Sequence, residues 1–134
     1  MGIRSSVLGL AKVLVELMSV GFPASIKLSS IFGQLLRDAF GEIPYHVGSS
    51  IFQKDRRDVD VVVLLEDEDF EKMFGKREPE GPKWEAYCLA FSALGREVTG
   101  LNIDFKVQPR EWANAKYPHT AEPRSAMTGF WRPT

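Results

Sequence analysis

The sequence predicts an α/β fold of the α+β kind, in which helices pack on a small mixed β-sheet. Segments with apolar residues at helical spacing alternate with short extended segments. Three extended segments are visible, which favours a small sheet. The length of 134 residues, with 44% hydrophobic and 26% charged residues, suits one domain. We expect residues 1–118 to form this domain and residues 119–134 an irregular tail.

Two helices are predicted before the first strand. Residues 5–19 carry apolar side chains on one face, but Lys12 and Glu16 interrupt the apolar run. The charges argue against a signal peptide and the length against a membrane span. Residues 25–40 repeat the amphipathic pattern, and Gly41 is a typical left-handed helix stop. We therefore expect a cytoplasmic protein without a membrane segment.

Three strands are predicted after these helices. Residues 45–48 form a short strand that ends in Gly-Ser, and residues 49–54 are either one helical turn or a loop. Residues 58–65 end in an unbroken apolar run, which is typical of a strand covered on both faces. Residues 101–108 alternate strictly between apolar and polar, which indicates a strand with one buried face.

Three further helices separate or follow these strands. The acidic run at residues 66–69 is predicted to begin a helix, because acids in a first turn complement the helix dipole. This helix is expected to stop near Gly75. Residues 83–94 form a longer helix with Gly95 as its stop. Residues 110–116 form a short helix before a proline.

A pair of aspartates stands at the start of the buried strand. Asp58 and Asp60 are two residues apart, so in a strand they project to the same side. Two adjacent carboxylates repel each other unless a cation lies between them. Asp104, on the polar face of a separate strand, could converge on them. Three carboxylates can hold two divalent cations about 3.5–4 Å apart, an arrangement that promotes phosphoryl transfer.

A phosphate cradle precedes the acids. Gly48 permits close backbone approach, and Ser49 opens a segment whose N–H groups could attract phosphate.

The composition gives little further information about function. A formal net charge of −1 does not point to nucleic acid. One cysteine and two histidines argue against a Cys/His zinc site. The lone Cys88 suits a reducing compartment.

The order of these motifs resembles the nucleotidyltransferase superfamily that includes DNA polymerase beta. The residues that carry the resemblance are Val47-Gly48-Ser49, then Asp58-Val59-Asp60-Val61 after eight residues, and later Ile103-Asp104-Phe105. The resemblance extends over about residues 40–108. It implies transfer of a nucleoside monophosphate from an NTP to a hydroxyl acceptor, with release of pyrophosphate.

The resemblance also implies a role for each site residue. Gly48 and Ser49 would hold the β- and γ-phosphates of the NTP. Asp58 and Asp60 would bind both metals, which would be Mg²⁺ or Mn²⁺. Asp104 would bind the metal that activates the acceptor hydroxyl and could take its proton.

The chain departs from the family pattern in two ways. Small members often have an arginine soon after the serine, where this chain has Ser50, Ile51 and Phe52. The helical domain that binds base and acceptor in larger relatives is also missing. A partner protein or a second copy could then complete the pocket.

One alternative function is therefore that of an antitoxin-like or regulatory module acting on a helical partner, as minimal members do with HEPN-type toxins. A weaker one is a nucleotide sensor without turnover.

Simpler interpretations of the same residues remain open. Asp58 and Asp60 could be a polar strand start paired with nearby basic side chains such as Lys54 or Arg56, since weak exposed ion pairs are common. Asp104 could lie on an exposed strand face with Lys106 as its charge neighbour. A nucleic acid acceptor is compatible with the motifs but is not indicated by charge.

Overall fold

The computed structural model describes residues 23–48, 58–118 and 124–128. The predicted helix at residues 5–19, Ser49 and the segment after it lie outside this part of the chain. The elements in chain order are α1 (Ala24–Ile26), a π-helical segment (Lys27–Phe32), α2 (Gly33–Phe40), β1 (Tyr45–Val47), β2 (Val59–Leu65), α3 (Asp67–Phe74), α4 (Pro82–Thr99), β3 (Ile103–Pro109), α5 (Arg110–Lys116) and β4 (Arg124–Ala126).

The described strands pair into a mixed sheet, which confirms the predicted fold class. The strand order is β3-β2-β1-β4. β2 and β3 are parallel, whereas β1 is antiparallel to both β2 and β4. β2 is therefore internal, which explains its apolar run: residues 61–65 are all buried.

The two faces of the sheet have different coverings. Odd-numbered residues of β2 and β3 face the main core, together with side chains from the helices at residues 24–40 and from α3 and α4. The most buried members of this core are Phe32, Leu36, Val59, Val61, Val63, Phe70, Ile103, Phe105 and Val107. On the other face a smaller cluster joins Val62 and Leu64 to Ala113 of α5. The rest of this second face carries the polar residues of the strands.

The helix α4 is longer than the sequence predicted. It runs to Thr99 and ends at Gly100, which has a φ of 74°. Gly95 lies inside it, so the prediction that Gly95 ends the helix is wrong. A Cβ on Gly95 would lie 2.8 Å from Phe32 and 2.9 Å from Ile103. The glycine is therefore needed for the close approach of the helix to the core.

Side chains of α4 bind the outer edge of β3. The Trp84 indole Nε1 donates to the Val107 carbonyl at 2.7 Å, and Ser92 Oγ accepts from the Phe105 amide at 2.8 Å. Arg96 Nε donates to the Ile103 carbonyl at 3.2 Å. Backbone groups on the side of β3 away from β2 thus bond to one helix, which holds strand and helix together.

A fourth strand was not predicted from the sequence. Residues 119–134 were expected to be irregular, but Arg124–Ala126 pairs with β1, so the prediction is wrong for this segment. Met127 follows it, is 2% exposed and packs in the main core. Its carbonyl oxygen accepts from Arg37 and would lie 2.7 Å from a Cβ on Gly33.

None of the helices within residues 23–48, 58–118 and 124–128 has both the length and the apolar composition that crossing a membrane requires.

The buried position of Met127 makes the C-terminal segment part of the core. We expect Met127→Ala to lower the free energy of unfolding by about 2–4 kcal/mol, because a large buried side chain is lost and a cavity remains. Ser125→Ala, at an exposed position of β4, should change it by less than about 0.5 kcal/mol. Denaturant unfolding of both variants measures the difference. Equal stabilities would show that the segment contributes little to the core.

Candidate active site

The parallel pairing of β2 and β3 brings two of the predicted site residues together. Asp60 and Asp104 are register partners on the two strands. Both side chains line a cavity of about 220 Å³ on the face of the sheet opposite the main core. The sequence predicted that these carboxylates share a face, and the structure places them there.

The burial pattern of β3 determines where Asp104 points. Ile103, Phe105 and Val107 are fully buried. Because side chains alternate along a strand, the residues between them must face the other way. A shift of one residue would expose three large apolar side chains and bury three polar ones. The position of Asp104 is therefore a consequence of the apolar core beneath it.

Asp58 lies at the mouth of the site rather than in it. It precedes β2, is exposed, and accepts a hydrogen bond of 2.6 Å from the side-chain amide of Asn102. It does not line the cavity that contains Asp60. Accordingly, no group of three Asp, Glu, His or Cys side chains among residues 23–48, 58–118 and 124–128 is arranged to hold a metal ion.

Gly48 brings backbone against the Asp60 carboxylate. Its φ is 83°, and Val47, the residue before it, pairs with Asp60 across the sheet. A Cβ on Gly48 would lie 2.8 Å from Asp60 Oδ2. Both the left-handed conformation and the close approach require glycine. Ser49, the other predicted phosphate contact, lies outside the described residues.

The pair of acids is electrostatically unfavourable. Burial raises the pKa of the partly buried Asp60 carboxyl above its usual range, and the charges of Asp104 and Asp58 raise it further. The ammonium of Lys106 acts in the opposite direction. Lys106 Nζ donates to Asp104 Oδ1 at 3.0 Å, with the two side chains 43% and 47% exposed. The cavity therefore concentrates negative charge that one lysine partly offsets.

Two further residues of the cavity were missed by sequence reasoning. Tyr117 and Arg124 line it together with the acids. The Arg124 guanidinium donates to Asn114 Oδ1 at 2.8 Å and to the Tyr117 carbonyl at 3.0 Å, so it is held beside the cavity. The strand that carries Arg124 has no recognisable period. Lys106, by contrast, was considered only as a charge neighbour, although strict alternation places it on the Asp104 face.

A second cavity, of about 280 Å³, meets the first at Asp104 and Lys106. It lies between β3 and α4, and its wall includes Trp84, Cys88 and Leu89. Leu89 is 72% exposed, so this wall presents apolar surface to an approaching molecule. Asp104 can thus be reached from two sides.

Comparison with known proteins adds no relative: no family model, curated protein or solved structure matches the chain.

The cavity offers a divalent cation two carboxylate ligands. Carboxylate oxygens are the ligands that Mg²⁺ prefers, and two carboxylates stand in register on adjacent strands. A cation between Asp60 and Asp104 would also relieve the repulsion that raises the Asp60 pKa. Because Asp104 is bonded to Lys106, the lysine ammonium would compete with a metal for that carboxylate.

The raised pKa gives stability a specific pH dependence. The folded state holds the Asp60 proton more tightly than the unfolded chain, whose aspartates have a pKa of about 3.9. At pH values above the folded-state pKa, ionised Asp60 therefore lowers the free energy of unfolding. This destabilisation disappears as the pH falls through the pKa of the unfolded chain.

We expect Asp60→Asn to raise the metal-free Tm at pH 7, and the gain to vanish below about pH 3, where the wild-type carboxyl is mostly protonated in both states. Thermal denaturation of both proteins across this range measures it. Asp69→Asn, at an exposed position of α3, removes the same charge and should give no such gain. An Asp60→Asn gain that is independent of pH would exclude a role for the charge.

Proposed function

We propose that this protein is a metal-dependent nucleotidyltransferase. It would transfer a nucleoside monophosphate from an NTP to a hydroxyl acceptor and release pyrophosphate. The observation that supports the proposal is the adjacent pair Asp60 and Asp104 in one cavity, with the backbone of Gly48 at its rim. Carboxylates placed beside a glycine backbone are suited to a metal-bound polyphosphate.

Each site residue has a role in this proposal. Asp60, with Asp58 nearby, would hold two divalent ions, Mg²⁺ or Mn²⁺, and Asp104 would bind the ion that activates the acceptor hydroxyl. Bound divalent ions supply charge neutralisation at the phosphates and a lower pKa for the acceptor hydroxyl. Gly48 would bring backbone close to the β- and γ-phosphates, and Ser49 has the phosphate-binding role that the family resemblance implies.

The transfer step requires a base and a leaving group. The acceptor oxygen attacks the α-phosphorus, and the bond from that phosphorus to the bridging oxygen breaks, so pyrophosphate departs with the electron pair. The acceptor proton passes to Asp104. Because the second cavity also reaches Asp104, the acceptor approaches along α4 while the NTP occupies the first cavity.

The acceptor hydroxyl is unknown, and a partner protein or a second copy of the chain would complete the pocket. A binding module without turnover has no need for carboxylates that repel each other, which favours an enzyme over the regulatory alternative. The proposal includes a cytoplasmic location. Cys88 is a buried free thiol, which suits a reducing compartment.

The decisive experiment is nucleotide transfer by purified protein. We incubate it with each α-labelled NTP, Mg²⁺ or Mn²⁺ and a cell extract, and expect label on an acceptor. Asp104→Asn should leave NTP binding nearly intact and reduce transfer by at least about 100-fold, since it removes the base and a metal ligand. Asp69→Asn is the control. Near-normal transfer by Asp104→Asn would refute its role, and NTP binding without transfer would favour the sensor or regulatory alternative.

Gly48 gives an independent test of the phosphate approach. Gly48→Ala places a Cβ against the Asp60 carboxylate, and we expect it to weaken NTP binding by roughly tenfold, the effect of about 1.4 kcal/mol. Gly75→Ala is the matched control, because Gly75 also has a φ of 83° but no atom within 4 Å of an added Cβ. Both variants incur the same backbone strain. Calorimetric titration with NTP distinguishes them, and equal affinities would exclude the Gly48 contact.

A further inference from the structure

Lys106 lines the first cavity and forms an ion pair with the carboxylate of Asp104. It stands two residues after Asp104 on β3 and faces the same side of the sheet. Its ammonium bonds Asp104 Oδ1 at 3.0 Å. Val62, its register partner on β2, is apolar and offers the ammonium no charged partner. The lysine therefore pairs with Asp104 and partly offsets its charge.

This ion pair is suited to exchange. Both side chains are nearly half exposed, and pairs of this kind contribute little to stability because water and salt screen them. A lysine also has a flexible four-carbon stem and three donors, so its ammonium can reorient at low cost. The ammonium would repel a divalent cation that binds the same carboxylate, so the two cations compete for Asp104.

We propose that Lys106 exchanges partners during nucleotide binding. It holds Asp104 while no metal is bound, and it binds a phosphate oxygen of the nucleotide once a divalent cation has taken Asp104. This inference rests on the proposed function. Lys106 would then be a positioning residue for Asp104 before the metal arrives and a direct phosphate ligand afterwards.

The exchange predicts effects of opposite sign on two binding events. Without Lys106, a cation competes with no ammonium for Asp104, and the carboxylates attract it more strongly. The metal alone should therefore bind more tightly. The nucleotide, in contrast, loses a charge-assisted hydrogen bond and should bind more weakly. A lysine that only stabilises the fold would produce neither effect.

The experiment compares Lys106→Gln with wild type in two calorimetric titrations of the full chain. The probes are Mn²⁺ alone, and α,β-methylene-ATP in saturating Mn²⁺, which binds without transfer. We expect Mn²⁺ to bind about two- to fivefold more tightly and the analogue about tenfold or more weakly. Lys106→Arg should restore analogue binding. Lys72→Gln, at an exposed position of α3, is the control for net charge.

The outcomes separate this inference from the proposed function. If wild type binds both probes and Lys106→Gln leaves the Mn²⁺ affinity unchanged or lower, the exchange is refuted while the proposed function stands. Unchanged analogue affinity in Lys106→Gln refutes the phosphate contact. If wild type binds neither probe, the proposed function fails and the inference fails with it.

Discussion

The parallel pairing of β2 with β3 is the interaction on which the rest of the structure depends. It sets Val59, Val61 and Val63 against Ile103, Phe105 and Val107 in one core. The same register forces two like charges together on the opposite face. Each large buried side chain contributes about 1.5–3 kcal/mol, whereas water screens the repulsion at the partly exposed Asp60 carboxyl. Several such residues outweigh the repulsion, so the core can sustain an unfavourable site.

The sequence predicted structure well where the pattern of apolar and polar residues was long enough to be recognised. Strict alternation in β3 and the apolar run of β2 predicted the strands and the shared face of Asp60 and Asp104. Two features depended on contacts that are distant in sequence. Gly95 looks like a helix stop, and its packing against Phe32 reveals its role. The three-residue β4 is too short for a period and pairs with a strand far upstream.

The candidate site was predictable only in part for the same reason. The alternation of apolar and polar residues could assign each side chain to a face of the sheet, but it could not identify the groups that the side chain contacts. It could not show that Asp58 bonds Asn102 at the mouth of the site, or that Arg124 reaches the cavity from an unpredicted strand. Nor could it show that Asp104 lines two cavities.

The helix side chains that bond β3 also restrict how other chains can associate with this protein. An outermost strand normally presents free amides and carbonyls to which a foreign strand can add. Here Trp84, Ser92 and Arg96 already occupy three of those groups. β-augmentation at this edge would have to break all three bonds. A protein that docks beside Asp104 must therefore recognise side chains along the helix surface, and the arrangement also discourages edge-to-edge aggregation during folding.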